Sequence, residues 1–577
     1  MADTGESIIY CEACMFQGRL KVPGSTLLLR WMASFLQHYK PASTDSSPLF
    51  SFNFTEREAD LNERVGQWLY EEKTEIWDGM VRSRQPMPVD CARVDLPCAL
   101  SGVVVRSGLT TLLTWMVLTY HQNFPDHGYN HLLGYKEVCF KACAEVSPWT
   151  QFVTSHLLPI LDGNKDSWLL FDAIKYLEKK LSSDRTVATY KRNYFKTAGQ
   201  NGLTRIYRDL NSKKEKDTFL TSHLPNLIDI LCYVMISRSL KSLRGDFLSQ
   251  FPSLSNWYES MRHFSGVPQT EALYDLTGSD VGLADCTEAE CLPNELSSLS
   301  LEHVACAQVI SPSTSTDIEI LSRLETVLQQ RPIVTEVEVL DWSNLPAELD
   351  PGLGGKLPEK RAIKKRQQLE NLYTHVKSCL SHMTEGVVVD FCSGGGHVGL
   401  LIAYLHPSID VHLIENKNES LGYALQRLDS LALPNVKLFQ CNLTQYHGMF
   451  DVGVSLHACG VATDLVIDQC LRSEASIIVC PCCYGTLSST TSLQLPRSKE
   501  LRLLINKQEM VTLRHSSDKT ELGIQQQAIG MACMLVSDLD RKYFLDGHHG
   551  NRATSIYVMN PRECSPKNHM IVSRTLS

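Results

Sequence analysis

Residues 386–400 hold the stretch that most limits how this chain can fold. Three valines, Val387, Val388 and Val389, run into an acid, Asp390, with Cys392 just beyond. Three glycines follow, Gly394, Gly395 and Gly396, and then an apolar helix-forming segment from about Val398 to Leu405. A buried strand that passes through an acid into a glycine loop and a helix is how an open α/β sheet builds a ligand pocket at the carboxyl end of its first strand. Glycines there let the backbone approach a ligand and take positive φ without a Cβ clash. The helix start adds free N–H groups and a partial positive charge.

Two ligand classes compete for such a loop. Gly394, Gly396 and Gly399 satisfy G-x-G-x-x-G, which dinucleotide sites share and which is weak alone. Asp390 separates the classes. Dinucleotide folds run from strand straight into the first glycine; here an acid stands between, as D-x-x-x-G-x-G. That is the arrangement of S-adenosylmethionine pockets, where the acid faces the ammonium of the methionine end. A second strand, 411–414, ends in Glu415, at a distance suited to ribose hydroxyls. The expected cofactor is therefore S-adenosylmethionine, held by Asp390, Cys392, Gly394, Gly395, Gly396, Glu415 and, after the third strand, Asn442.

A chain of 577 residues is too long for one core and calls for about three domains. Its net charge of −9 excludes a dedicated nucleic-acid coat but not a local basic site. The polar opening, residues 1–7, and the lack of any apolar run of transmembrane length predict neither signal peptide nor membrane span. The 20 cysteines are then expected as reduced thiols, in cytosol or nucleus, with the cytoplasm the expected location.

Up to about residue 105 the signals are sparse: a strand near 8–10, an apolar helix from Ser25 to about Tyr39, a loop over 86–97 and a strand at 103–105. Ser107 could cap the helix that follows, 108–120. Between 131 and 265 the apolar spacing is helical, over 132–145, 149–161, 168–181 and 228–240. A charged loop lies at 213–217. Asn226 and Asp229, three apart, form a relative of the capping box at the start of the 228–240 helix. Residues 266 to about 350 mix Ser, Thr, Glu and Pro with scattered Cys and read as linker with a few short elements. A basic helix start follows, with Lys360, Arg361, Lys364, Lys365 and Arg366, either a phosphate-gripping surface or a solvated face. From 385 onward strands and helices alternate as in a doubly wound α/β domain, with strands at 436–440, 452–456 and 477–479 and a closing pair at 556–559 and 570–572.

Two loops carry further chemistry. The fourth strand ends in His457-Ala458-Cys459-Gly460 and the fifth in Cys480-Pro481-Cys482-Cys483-Tyr484. Both lie where open α/β sheets place ligands, so His457, Cys459 and Tyr484 are the candidate catalytic residues: a base, a thiol and a ring to stack on the acceptor. Methyltransferases acting on amines put an acid or Asn, two prolines and an aromatic residue after the fourth strand; that signature is missing. The cysteines invite a zinc reading, but their spacing is unlike paired C-x-x-C knuckles, and no metal ligand is assigned. Cys11 and Cys14 form C-x-x-C within strand-like sequence, not at the helix start a redox thiol needs, and are expected to be inert.

The combination of these motifs, with Leu413 to Lys417, Thr463-Asp464, residues 564–568 and the 140–147 segment, resembles the family of glutathione S-transferase C-terminal domain-containing proteins. Asn226, Asp229, Pro252, Trp257 and Tyr258 match the helical domain of glutathione transferases in order. The resemblance implies a degenerate thioredoxin-like region over 1–120, with Leu96-Pro97 as its cis-proline. It further implies a glutathione-transferase-like helical domain over 121–265, a linker over 266–350 and a Rossmann-like methyltransferase domain over 351–577 with a doubly wound sheet. Arg106-Ser107 stands where transferases hold an acid and Ser, and Ser25 alone could activate a thiol, so glutathione transfer is not expected. The methyltransferase part is also similar to the family holding a transfer-RNA ribose 2′-O-methyltransferase, whose zinc-binding segments are not found here. The expected function is methyl transfer from S-adenosylmethionine to an acceptor left open by the sequence, RNA being one class. The alternative is a non-catalytic binding scaffold.

Overall fold

The structure, a computed structural model, describes residues 7–16, 19–21, 24–38, 49–56, 87–125, 132–133, 152–161, 167–182, 220, 226–240, 247–263, 267, 314–485, 493–518, 524–548 and 552–575. The rest of the expected helix over 132–145, the charged loop 213–217 and the 140–147 match lie outside these residues. The chain divides into two compact units, Met1–Met87 with Leu96–Ala99 and Gly108–Pro293, and Pro88–Asp95 with Leu100–Ser107 and Asn294–Ser577.

In the first unit β1 (Ser7–Phe16) pairs antiparallel with β2 (Arg19–Lys21) and parallel with β3 (Phe50–Glu56), and α1 (Gly24–His38) packs on α2 (Leu109–Asn123). Cys11 and Cys14 both lie within β1. The Leu96-Pro97 bond is cis and leads into β4 (Cys98–Ser101). The helical part contains α3 (Ser167–Ser182), α4 (Leu227–Leu240) and α5 (Pro252–Arg262). α4 is apolar on all sides and buried from Leu227 to Ser237, as a central helix must be. Its start carries the reciprocal bonds read from sequence: Ile228 N–H donates to Asn226 Oδ1 (2.9 Å) and Asn226 N–H to Asp229 Oδ2 (3.1 Å). Asp229 Oδ1 also accepts from Trp257 Nε1 at 2.8 Å, which ties α5 to the same cap.

The second unit is one mixed sheet with helices packed on it. The strand order is β5 (Val104–Ser107), β9 (Val436–Gln440), β8 (Ile409–Glu415), β7 (Gly386–Phe391), β10 (Val452–Ser455), β11 (Ser476–Val479), β13 (His569–Thr575), β12 (Arg552–Val558) and β6 (Ile333–Val334). From β5 to β11 all neighbours are parallel, with Val388 opposite Val411 on one side and Val452 on the other. β13 runs antiparallel to both β11 and β12, so the expected closing pair is present and inserted in the sheet. β7 is buried from Val388 to Phe391, in keeping with a central strand covered on both faces. After β7 the chain adds β8 and β9 to one side and then returns to place β10 on the other. That reversal is the switch point at which open α/β sheets leave a crevice.

Six further helices among the described residues frame this sheet. α7 (Glu359–Leu380) packs on β10, β11 and α8 (His397–Leu405); α9 (Asn418–Leu431) covers β8 and β9; α10 (Val461–Arg472) lies on β10 and β11. α12 (Ile524–Asp546) packs on β12, β13 and α11 (Lys507–Ser516). Asp464 at the start of α10 is fully buried and holds Arg514 Nη1 at 2.8 Å and Arg541 Nη2 at 3.0 Å, with Arg497 beside them. Burial pushes its carboxyl pKa up, but Arg514, Arg541 and Arg497 outweigh that and hold it far below the usual carboxylate range.

Two expected boundaries need correction. Residues 314–350 hold more than linker: α6 (Thr314–Ser322) packs on α11 and α12 with Ile320 and Leu321 buried, Leu324 joins that core just past its end, and β6 extends the sheet. Nor do residues 1–120 form one region. Residues 88–95 and 100–107 join the second unit, where β5 pairs with β9, Val104 opposite Leu438.

Candidate functional site

The loop after β7 is shaped by its glycines. Gly394 and Gly396 take φ of +58° and +77°, which side chains resist. A Cβ on Gly394 would stand in open space, so its absence leaves room above the loop. Gly399 serves packing instead: a Cβ there would come within 2.0 Å of Leu413 Cδ2. Only a bare helix start can sit this close to β8 and deliver its N–H to Asp390.

Asp390 is buried, and its Oδ2 accepts the Gly399 N–H at 3.0 Å. No ion pair forms with it among the described residues. Burial raises its pKa to about 7, against the pull of the Gly399 hydrogen bond and Lys365. Glu415, expected at a ribose, links the loop to the end of its own strand: Oε2 accepts from Gly394 N–H (2.9 Å) and Oε1 from Lys417 N–H (2.8 Å). Asn442 caps the turn Leu443–Gln445, with Gln445 returning a bond to its N–H. Cys392 lies in the loop with φ +56°. Around these groups, Ser393 Oγ, His397 Nδ1, Gln440 Oε1 and Ser455 Oγ are buried with no hydrogen-bond partner. Burying unpaired polar atoms at the ends of β7, β9 and β10 is costly, and a polar ligand relieves it. The residues therefore fit S-adenosylmethionine.

Sequence reasoning missed Lys365. The basic run does not share one face. Lys360, Arg361 and Lys364 are exposed; Arg366 clasps Asp350 at 2.9 and 3.0 Å; Lys365 turns inward, half-buried, into the field of Asp390, Cys480 and Cys482. Burial lowers its pKa to about 8, with those groups resisting. Its helical position among four other cations hid it. Arg427 was missed as well; its Nη1 donates to Gly395 O at 2.6 Å and braces the loop from α9.

His457 and Cys459 are exposed beyond β10. Desolvation by its surroundings, and then Lys365, pull the His457 pKa down, so the ring is neutral at pH 7. The fold brings Cys459 to Cys482 (Sγ–Sγ 3.1 Å) and Cys482 to Cys483 (3.7 Å), a proximity that spacing across two loops does not reveal. Hydrogen bonds from Cys459 and Cys482 pull the Cys483 thiol pKa down. Tyr484 corrects an expectation. Its ring is fully buried, and its hydroxyl donates to Asp538 Oδ2 at 2.8 Å, so it anchors the loop and offers no surface to an acceptor.

A family model described as a methyltransferase domain matches residues 364–490. The Bos taurus glutathione S-transferase C-terminal domain-containing protein is 31% identical over 567 residues, covering 85% of this chain and 88% of the relative. The chain belongs to this family. The Homo sapiens member is 30% identical over 561 residues, 85% of this chain and 87% of its own. Within this family member, the methyltransferase-domain match contains Lys365, Asp390, the glycine loop and all three clustered cysteines. Over 67 residues, 12% of this chain and 32% of the other, the chain is also 34% identical to ribosomal RNA small subunit methyltransferase G of Beutenbergia cavernae. A solved magnesium protoporphyrin IX methyltransferase from Synechocystis with bound SAM overlaps 38% of this chain and 86% of its own, at 13% identity and a TM-score of 0.24.

Proposed function

We propose that this protein is an S-adenosylmethionine-dependent methyltransferase that acts on RNA. The observation that carries the reading is Asp390, a carboxyl group buried beside the bare glycine loop with one N–H bond and no ion pair among the described residues. A buried charge without a partner is costly, so the pocket is built for a cation. Asp390 would hold the cofactor's ammonium and Lys365 the carboxylate of the same methionine end. When bound, the cofactor supplies a methyl group on an electrophilic sulfonium. His457, neutral and at the exposed rim, is placed to take the proton of an acceptor hydroxyl. Holding acceptor and methyl group together supplies much of the rate.

RNA as acceptor is supported by the exposed Lys360, Arg361 and Lys364 at the start of α7, by the missing amine signature after β10, and by the ribosomal RNA enzyme similar to part of the chain. Free thiols across the described residues suit a reducing compartment, and we place the protein in the cytoplasm. No helix among the described residues is long and apolar enough to cross a membrane.

Isothermal titration of the full chain tests the reading. S-adenosylmethionine should bind and NAD should not. Lys365→Met should weaken S-adenosylmethionine about tenfold, as loss of one charged hydrogen bond does, and leave 5′-methylthioadenosine, which lacks the methionine end, unchanged. Equal effects on both ligands would reject the clamp. Changing Lys360, Arg361 and Lys364 to Gln should flatten the salt dependence of RNA binding; an unchanged slope would remove RNA from α7.

A further inference from the structure

We propose that Cys459, Cys482 and Cys483 bind one zinc-class divalent ion, with its fourth position open to solvent beside the cofactor pocket. The three sulfur atoms all lie within 4.8 Å of one another. A tetrahedral thiolate site with bonds of about 2.3 Å sets its sulfurs roughly 3.7–3.8 Å apart. The Cys482–Cys483 separation of 3.7 Å already matches that value, Cys459–Cys482 at 3.1 Å must open, and the third pair lies within 4.8 Å, so an ion enters with shifts of about an ångström or less. Among the described residues no other group of cysteines, histidines or acids meets the same condition.

The scaffold holds the cluster ready. The loop after β10 and the loop after β11 are tied by Gly460 N–H to Cys483 O at 2.6 Å and by Cys480 N–H to Ser455 O at 2.8 Å. Asp518 accepts the N–H groups of Tyr484 (3.0 Å) and Gly485 (2.9 Å), and the buried Tyr484 ring pins the turn. Rigid backbones that converge three thiols are what a metal site needs in advance of its ion. Three cysteines also cannot pair completely as disulfides. Binding forms three metal–sulfur bonds and releases the thiol protons to solvent. The anionic complex that results sits in the fields of Lys365, Lys417 and Lys567. Cys459 is exposed, so water or an acceptor group can reach the fourth position, as at zinc sites with three protein ligands.

The three thiols would bind the ion whether or not the glycine loop holds S-adenosylmethionine. The test is metal content by mass spectrometry of the full-length protein purified without chelator. Cys459→Ser, Cys482→Ser and Cys483→Ser should each contain one equivalent of zinc less than wild type, and Cys379→Ser the same amount as wild type. Alkylation of the unmutated protein gives a second readout that needs no folded variant. Cys459, although exposed, should react at least about tenfold more slowly with iodoacetamide before chelator treatment than after it, because a bound thiolate is not free to attack. Equal zinc in wild type and the three variants, reactivity unaffected by chelator, or a Cys459–Cys482 disulfide in the purified protein would each overturn the site.

Discussion

Replacing Asp390 by Asn keeps the shape of the pocket and removes its buried negative charge. The side chain still accepts the Gly399 N–H, so the helix start stays in place. What is lost is the charged bond to the ligand's ammonium, worth roughly 1.5–3 kcal/mol, or about 10- to 150-fold in affinity. The pH dependence sharpens the test. In the ligand-free fold the carboxyl group titrates at about 7, so it is mostly protonated below that value and ionised above it. Only the ionised form attracts the cation. Affinity of the wild type should therefore rise with pH up to about 7 and then level, and at pH 5.5 only ~3% of the protein is ionised at Asp390, a ~30-fold loss. Asp390→Asn should bind weakly with no such rise. The assay is titration calorimetry of S-adenosylhomocysteine, chosen because it is stable and keeps the ammonium, between pH 5.5 and 7.5. If the variant binds as wild type, or keeps the same pH profile, Asp390 is not the ammonium partner and the reasoning fails.

Three other substitutions probe the frame. Gly399→Ala puts a methyl group 2.0 Å from Leu413 Cδ2 and should cost about 1–3 kcal/mol, read as faster hydrogen exchange in α8, together with weaker cofactor binding; a neutral outcome would deny the close approach. Asp464→Asn leaves three buried guanidinium groups short of their counter-charge and should cost about 3–5 kcal/mol in denaturant unfolding of the second unit. Because the Asp464 pKa is depressed in the fold, its contribution is present above the unfolded value of about 3.9 and fades as the pH falls below it. The variant should lose that part of the acid dependence. Tyr484→Phe removes the donor to Asp538 and should cost about 1–3 kcal/mol while cofactor affinity holds; a stable variant that no longer binds cofactor would put the ring back in the site.

The strand, glycine loop and helix around Asp390 were legible because their signals are local. A valine run, an acid and glycines at set offsets dictate strand, turn and helix within fifteen or so residues, and Asp390, Gly394 and Gly396 lie where that pattern puts them. The capping pair Asn226 and Asp229 was legible for the same reason. Side-chain direction after a loop was not. Tyr484 turns inward to Asp538, whereas its neighbours Cys482 and Cys483 turn toward Cys459, and no spacing rule separates the two. Lys365 was lost in a run of cations whose helical positions point different ways. α6 was lost because it is short and Ser and Thr at its start, with Pro before it, outweigh the few apolar residues, Ile318, Ile320 and Leu321, that it contributes. β5 was read as a strand, but nothing local names a partner so distant in sequence.

The docking of β5 against β9 sets a schedule for synthesis. Asp90 bonds Lys437 across 347 residues of chain, and Val104 pairs with Leu438. At a translation rate of about 5–20 residues per second, this edge strand leaves the ribosome roughly 20–70 s before the strand it must meet. Until β9 emerges, the exposed N–H and C=O groups of β5 can pair with any other free strand edge. A fragment that begins at residue 351 has the opposite problem, since it carries β9 with its outer edge uncovered. Fast folding of the first unit would shorten the time for which the edge of β5 is open in the nascent chain. Yields of the isolated carboxyl-terminal fragment should improve when residues 88–107 are supplied with it.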